Sequence, residues 1–111
     1  MKEEKKKNLQ VRLPRDVVTW IDLDAEKKGL KRGPTCRMVL IDALNSVHES
    51  ELKQLQFVFN HKFNMDTDLI AFEITNQMNK KLLDLCKYIP VSKKKLAEIL
   101  ICQRVELVRE E

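Results

Sequence analysis

Residues 9–16, LQVRLPRD, alternate apolar and polar side chains and then meet a proline. Extended over residues 8–13, the chain points Leu9, Val11 and Leu13 one way and Asn8, Gln10 and Arg12 the other, since successive strand side chains face opposite sides. Pro14 has no amide to give a strand ladder, and its fixed φ suits the first turn of a helix. A strand this short with one apolar face does not persist alone in water. It requires a partner strand and a body to cover its leucines.

Beyond Pro14 the apolar period lengthens. Val17, Ile21 and Ala25 recur every four residues with Val18 beside them, while Asp22, Asp24, Glu26 and Lys27 are polar, which predicts an amphipathic helix over residues 15–28. Asp16 at its start and Lys27–Lys28 at its end suit the macrodipole, and Gly29 is placed to stop it. After LKRGP a second helix is expected, with Thr35 or Cys36, Val39, Leu40, Ala43 and Leu44 on its inner face, bending or fraying over residues 45–50. Trp20 and Leu23 fall off the main stripe of the first helix, and intramolecular packing is the expectation for both.

Moved along itself until Leu13 falls on Ile74, the chain repeats its pattern without a gap. In that alignment Val17 falls on Met78, Ile21 on Leu82, Ala25 on Cys86, Gly29 on Pro90, Lys31 on Ser92, Cys36 on Ala97 and Val39–Leu40 on Leu100–Ile101. Strand, helix and helix recur as IAFEIT, NQMNKKLLDLCKYI and VSKKKLAEILICQRV. Four parts follow: a flexible basic arm over residues 1–7, a first repeat over 8–49, an apolar connecting segment over 50–68 and a second repeat over 69–108. Leu52, Leu55, Phe57, Val58, Phe59 and Phe63 make the connecting segment too apolar for a free linker, so it is expected to pack on the body, partly as helix.

Composition narrows the function. The 111 residues carry 34% charged and 43% apolar side chains with net charge +4, enough for one modest core. Residues 1–50 hold 11 basic against 8 acidic side chains, and residues 51–111 hold 10 against 9, so the first part is the more basic. No apolar run reaches membrane-spanning length, and MKEEKKK is followed by no apolar signal core, so a cytoplasmic protein is expected. Cys36, Cys86 and Cys102 form no Cys-x-x-Cys and are expected as reduced, mostly buried thiols. His48 and His61 lack acidic or cysteine partners at useful spacing, and Gly29 and Gly33 are too few for a phosphate loop. Neither an enzyme nor a metal or other cofactor is expected.

The sequence NLQVRLPRDVVTWIDLDAEKKGLKRGPTCRMVLIDAL, residues 8–44, resembles the ribbon-helix-helix DNA-binding family of the Arc and methionine-repressor type. LIAFEITNQMNKKLLDLCKYIPVSKKKLAEILICQRV, residues 69–105, resembles it more weakly. The resemblance covers about two thirds of the chain and lies in the order and spacing of the parts, not in a diagnostic residue. It implies a mainly helical fold with a two-stranded antiparallel ribbon, whose polar face enters the major groove of DNA while four helices share the core beneath. With two copies in tandem, one polypeptide holds both halves of such a unit as a single-chain pseudo-dimer; pairing of like halves between two chains is the rival arrangement.

The resemblance also implies site residues. Asn8, Gln10 and Arg12 take the base-reading positions, and their chemistry agrees: Arg forks onto guanine O6 and N7, and Asn or Gln pairs with adenine. Phosphate contacts fall at the start of each second helix, on Lys31, Arg32 and Gly33 in the first repeat and on Ser92, Lys93 and Lys94 in the second. Lys31 stands where a Ser or Thr cap is common and Pro34 removes an amide, departures that Ser92 does not share. On the second strand Leu69, Ala71 and Glu73 match Asn8, Gln10 and Arg12, and Ala71 and Glu73 are the weaker contacts. The partner expected is double-stranded DNA, with self-association upon it, and the role is that of a transcriptional repressor. Two alternatives stay open on the same fold: an accessory protein at a plasmid transfer origin, and an antitoxin-like protein-interaction module.

Overall fold

The strand of LQVRLPRD finds its partner in the second half of the same chain. A computed structural model describes residues 7–59 and 66–109. The order is β1 (Lys7–Pro14), α1 (Arg15–Lys28), α2 (Arg32–Ser46), a 3₁₀ turn (Glu49–Glu51), α3 (Leu52–Phe59), β2 (Thr67–Ile74), α4 (Asn76–Leu85) and α5 (Lys93–Arg109). β1 and β2 form a two-stranded antiparallel sheet with Arg12 opposite Leu69, Gln10 opposite Ala71 and Asn8 opposite Glu73. The molecule is mainly helical, with this ribbon lying over helices α2 and α5.

Each strand turns one face inward. Leu9, Val11 and Leu13 of β1 and Ile70, Phe72 and Ile74 of β2 are buried, as the alternation predicts. They join Val17, Val18 and Ile21 of α1, Cys36, Val39, Leu40, Ala43 and Leu44 of α2, and Leu96, Leu100 and Ile101 of α5 in one core. Burying an aliphatic side chain of this size contributes about 1.5–3 kcal/mol, so neither strand could hold its place without the helices. Trp20 is partly buried against this core, whereas Leu23 is 55% exposed.

Local signals set most boundaries. Gly29 has φ 67°, the left-handed conformation glycine adopts at no steric cost, and Leu30 N–H donates to Ala25 O at 2.9 Å in a Schellman-type stop. Thr75 caps α4 by accepting from Met78 N–H at 3.1 Å. Arg15 N–H, at the start of α1, donates to Asp66 O at 3.1 Å and ties the beginning of β2 to that of α1.

Three boundaries differ from the sequence expectation. Helix α2 begins at Arg32, so Gly33 and Pro34 lie inside its first turn, where the missing proline amide would have had no intrahelical partner. Helix α4 ends at Leu85, short of residue 89, and residues 86–92 are non-helical. Pro90 disfavours helical backbone at the residue before it. Strand β2 begins at Thr67, inside the segment read as connection. That segment otherwise contributes α3, whose Leu52 and Leu55 are buried and which packs on α5. The flexible arm expected over residues 1–7 falls, Lys7 apart, outside the described residues, as does Phe63.

Candidate nucleic-acid interface

Because the inner faces of both strands are apolar, the period of two forces their other residues outward together. Asn8, Gln10 and Arg12 of β1 and Leu69, Ala71 and Glu73 of β2 are all exposed on one ribbon face. The antiparallel register orders them in three rows. Arg12 beside Leu69 forms one end, Gln10 beside Ala71 the middle, and Asn8 beside Glu73 the other end. A guanidinium thus stands at one end of the face and a carboxylate at the other, with amide side chains on the strand that carries the guanidinium.

Each strand of this face is flanked by a helix from the other half of the chain. α5 packs along β1, and α2 packs along β2. A cleft of about 280 Å³ beside β1 is lined by Arg12, Thr67, Ser92, Lys94, Lys95 and Glu98. Ser92 Oγ accepts from Lys95 N–H at 3.1 Å and so caps α5. Glu98, only 3% exposed, reaches back to the strand and accepts the Arg12 backbone N–H at 2.6 Å. Its other oxygen lies 3.5 Å from Lys95 Nζ. A buried carboxylate is stable only with such partners. Glu98 therefore fastens the edge of β1 at the residue that carries the guanidinium. Lys94 is exposed at the mouth, whereas Lys93 Nζ donates to Asn79 Oδ1 at 2.6 Å.

The other edge is built from different chemistry. A cleft of about 350 Å³ beside β2 is lined by Asn8, Gln10, Gly33, Arg37, Ala71 and Glu73 among others. A side chain at Gly33 would place its Cβ 3.0 Å from Ala71 O, so the glycine is what lets α2 approach the strand this closely. Arg37 Nε is buried without a hydrogen-bond partner. Arg32 donates Nε to Asp22 Oδ1 and Nη2 to Asp22 Oδ2, both at 2.7 Å. This hydrogen bonding holds the Asp22 carboxyl below the usual carboxylate range and raises Arg32. Lys31 is exposed in extended conformation at the start of the helix.

The expected residues therefore divide. Arg12, Ser92 and Lys94 line one cleft, and Asn8, Gln10, Gly33, Ala71 and Glu73 line the other. Arg32 and Lys93 are turned to partners inside the molecule. Sequence reasoning passed over Thr67, Glu98 and Arg37. The last two fall on one another when Leu13 is laid on Ile74, and that alignment was the signal that could have paired them. Among the described residues no group of three His, Cys, Asp or Glu side chains is arranged to hold a metal ion, and no helix is long and apolar enough to cross a membrane. Comparison with protein-family models, with characterised proteins and with solved structures finds no match.

Proposed function

We propose that this chain is a sequence-specific double-stranded DNA-binding protein of ribbon-helix-helix type, acting as a repressor by occupying an operator, with both halves of the reading unit in one polypeptide. The observation that carries this reading is the strand register. Gln10 pairs with Ala71, and Ala71 is also the residue on which Gln10 falls when the first sequence copy is laid on the second. A two-fold axis relating the copies would pass between these two residues, as it does between paired strands of a symmetric dimer. Burial agrees with that axis: Leu9 and Ile70, Val11 and Phe72, Val17 and Met78, Ile21 and Leu82, Leu40 and Ile101, and Leu44 and Val105 are each buried as pairs.

On this reading the exposed ribbon face lies in the major groove, which admits a two-stranded ribbon and presents a distinct donor and acceptor pattern for each base pair. Arg12 forks onto guanine, while Gln10 and Asn8 pair with adenine. Ser92, Lys94 and Lys95 beside Arg12 engage a phosphate and set the register. Arg12→Ala tests it directly in a fluorescence-anisotropy titration against a site enriched by in vitro selection and against a random duplex. Affinity for the selected site should fall by about 1–3 kcal/mol, with discrimination lost at one base position. Equal losses on both duplexes would reduce Arg12 to a phosphate contact and remove the ribbon from base reading.

A second reading, a protein-interaction module, is favoured by apolar exposure. Leu69 on the ribbon is 48% exposed, and Met38 and Ile41 on α2 are 41% and 36% exposed. Formation of a salt-insensitive complex with a protein partner, together with no affinity for DNA, would decide for it.

A further inference from the structure

The two halves of the ribbon unit have exchanged their charges. In the alignment of the two copies Arg12 on β1 corresponds to Glu73 on β2, and Glu98 on α5 corresponds to Arg37 on α2. In one half the strand offers a cation outward and the helix a carboxylate that accepts the strand's N–H. In the other half the strand offers the carboxylate outward and the helix an arginine. Arginine has only donors, so Arg37 cannot accept a strand N–H as Glu98 does, and its Nε is buried without a partner. Lys94 and Lys95, beside Arg12, correspond to Gly33 and Pro34 beside Ala71, so cations flank one half at positions where the other has none.

A palindromic site shows both halves the same base edges. If Arg12 takes guanine O6 and N7, an inverted repeat sets the same two acceptors before Glu73, whose carboxylate can only accept. Exchanging that base pair brings an amino donor, cytosine N4 or adenine N6, to the carboxylate. Resting on the DNA-binding reading above, we infer that the chain binds duplex DNA in one orientation, on a non-palindromic site with guanine under Arg12 and an amino-bearing base under Glu73. The orientation follows from the ends of the ribbon face, Arg12 with Leu69 and Asn8 with Glu73, which no rotation about the central Gln10–Ala71 row superimposes.

The test is in vitro selection with the full chain on a random duplex pool, followed by titration of the enriched site and of its two symmetrised versions. A non-palindromic motif is expected, and each inverted-repeat version should bind about 5- to 160-fold more weakly, the cost of one wrong bidentate contact. A second selection uses L69N, A71Q, E73R and R37E together, which copy Asn8, Gln10, Arg12 and Glu98 onto the other half. After circular dichroism has shown native helix content, this variant should enrich an inverted repeat of the half-site under Arg12. A palindrome selected by the parent overturns the oriented site and leaves DNA reading standing. The parent's own asymmetric motif, selected again by the folded variant, overturns the assignment to these charges. No enrichment by the parent overturns both the inference and the DNA-binding reading beneath it.

Discussion

Replacing Glu98 by alanine removes a side chain that fastens the free edge of β1 at Arg12. The carboxylate is 3% exposed and accepts the Arg12 N–H at 2.6 Å. A hydrogen bond to a charged group contributes about 1.5–3 kcal/mol net. The contact with Lys95 at 3.5 Å adds little, since that lysine side chain is 37% exposed and screened by solvent. Two effects offset part of the loss. Truncation relieves the desolvation of a buried charge, and the neighbouring cleft lets water reach the freed N–H. Glu98→Ala should therefore destabilise by about 1.5–2 kcal/mol, the lower part of that range. Glu98→Gln keeps an acceptor oxygen and should lose only about 0.5–1.5 kcal/mol. Urea unfolding followed by far-ultraviolet circular dichroism measures both, with an unchanged slope certifying that the same surface is exposed. A Glu98→Ala protein within about 0.5 kcal/mol of the parent would refute the fastening role. Equal losses for Ala and Gln would show that the charge, and not the acceptor, holds the strand.

Other expectations follow from packing and charge. Burial pushes the Cys36 thiol up to about 12, and Cys102 is also buried, so a thiol reagent at pH near 8 should label Cys86 first; mass spectrometry showing equal rates in the folded protein would contradict the core packing. Asp22 has its folded pKa depressed by Arg32, so the pair's stabilisation is fully present above the ordinary carboxylate value of about 3.9 and is lost as pH falls through the lower folded value. Asp22→Asn should flatten the acid limb of the stability curve by about 0.2–1 kcal/mol, the range for exposed pairs. Gly29→Ala meets no atom within 4 Å, so only its backbone φ of 67° resists the change, and thermal unfolding should register a loss of about 1–2 kcal/mol.

What could be read before folding was whatever a period records. The period of two in residues 8–13 named the buried and exposed faces of β1, and the four-residue spacing of Val17, Ile21 and Ala25 named the inner stripe of α1. Gly29 marked a helix end because one residue's φ decides it locally. Boundaries near residues 67 and 85 were less legible, since strand pairing extends β2 past its apolar run and Pro90 restricts the backbone ahead of it. The partner of Arg32 was not legible either. The arginine's charge was visible, but the bidentate bond to Asp22 of the preceding helix depends on how α1 and α2 lie together.

The sequence by itself determined the alternation of strand faces, the helical stripes and the helix stops, because each arises from a residue and its near neighbours. It also carried the exchange of Arg12 for Glu73 and of Arg37 for Glu98. Only the tertiary structure decided which helix start stands beside which strand. α5 flanks β1, bringing Ser92, Lys94, Lys95 and Glu98 to Arg12 from the far end of the chain. A hydrophobic period tells a residue that it will be buried, but not against what. That choice belongs to the antiparallel register and to the one core that both strands share with the helices.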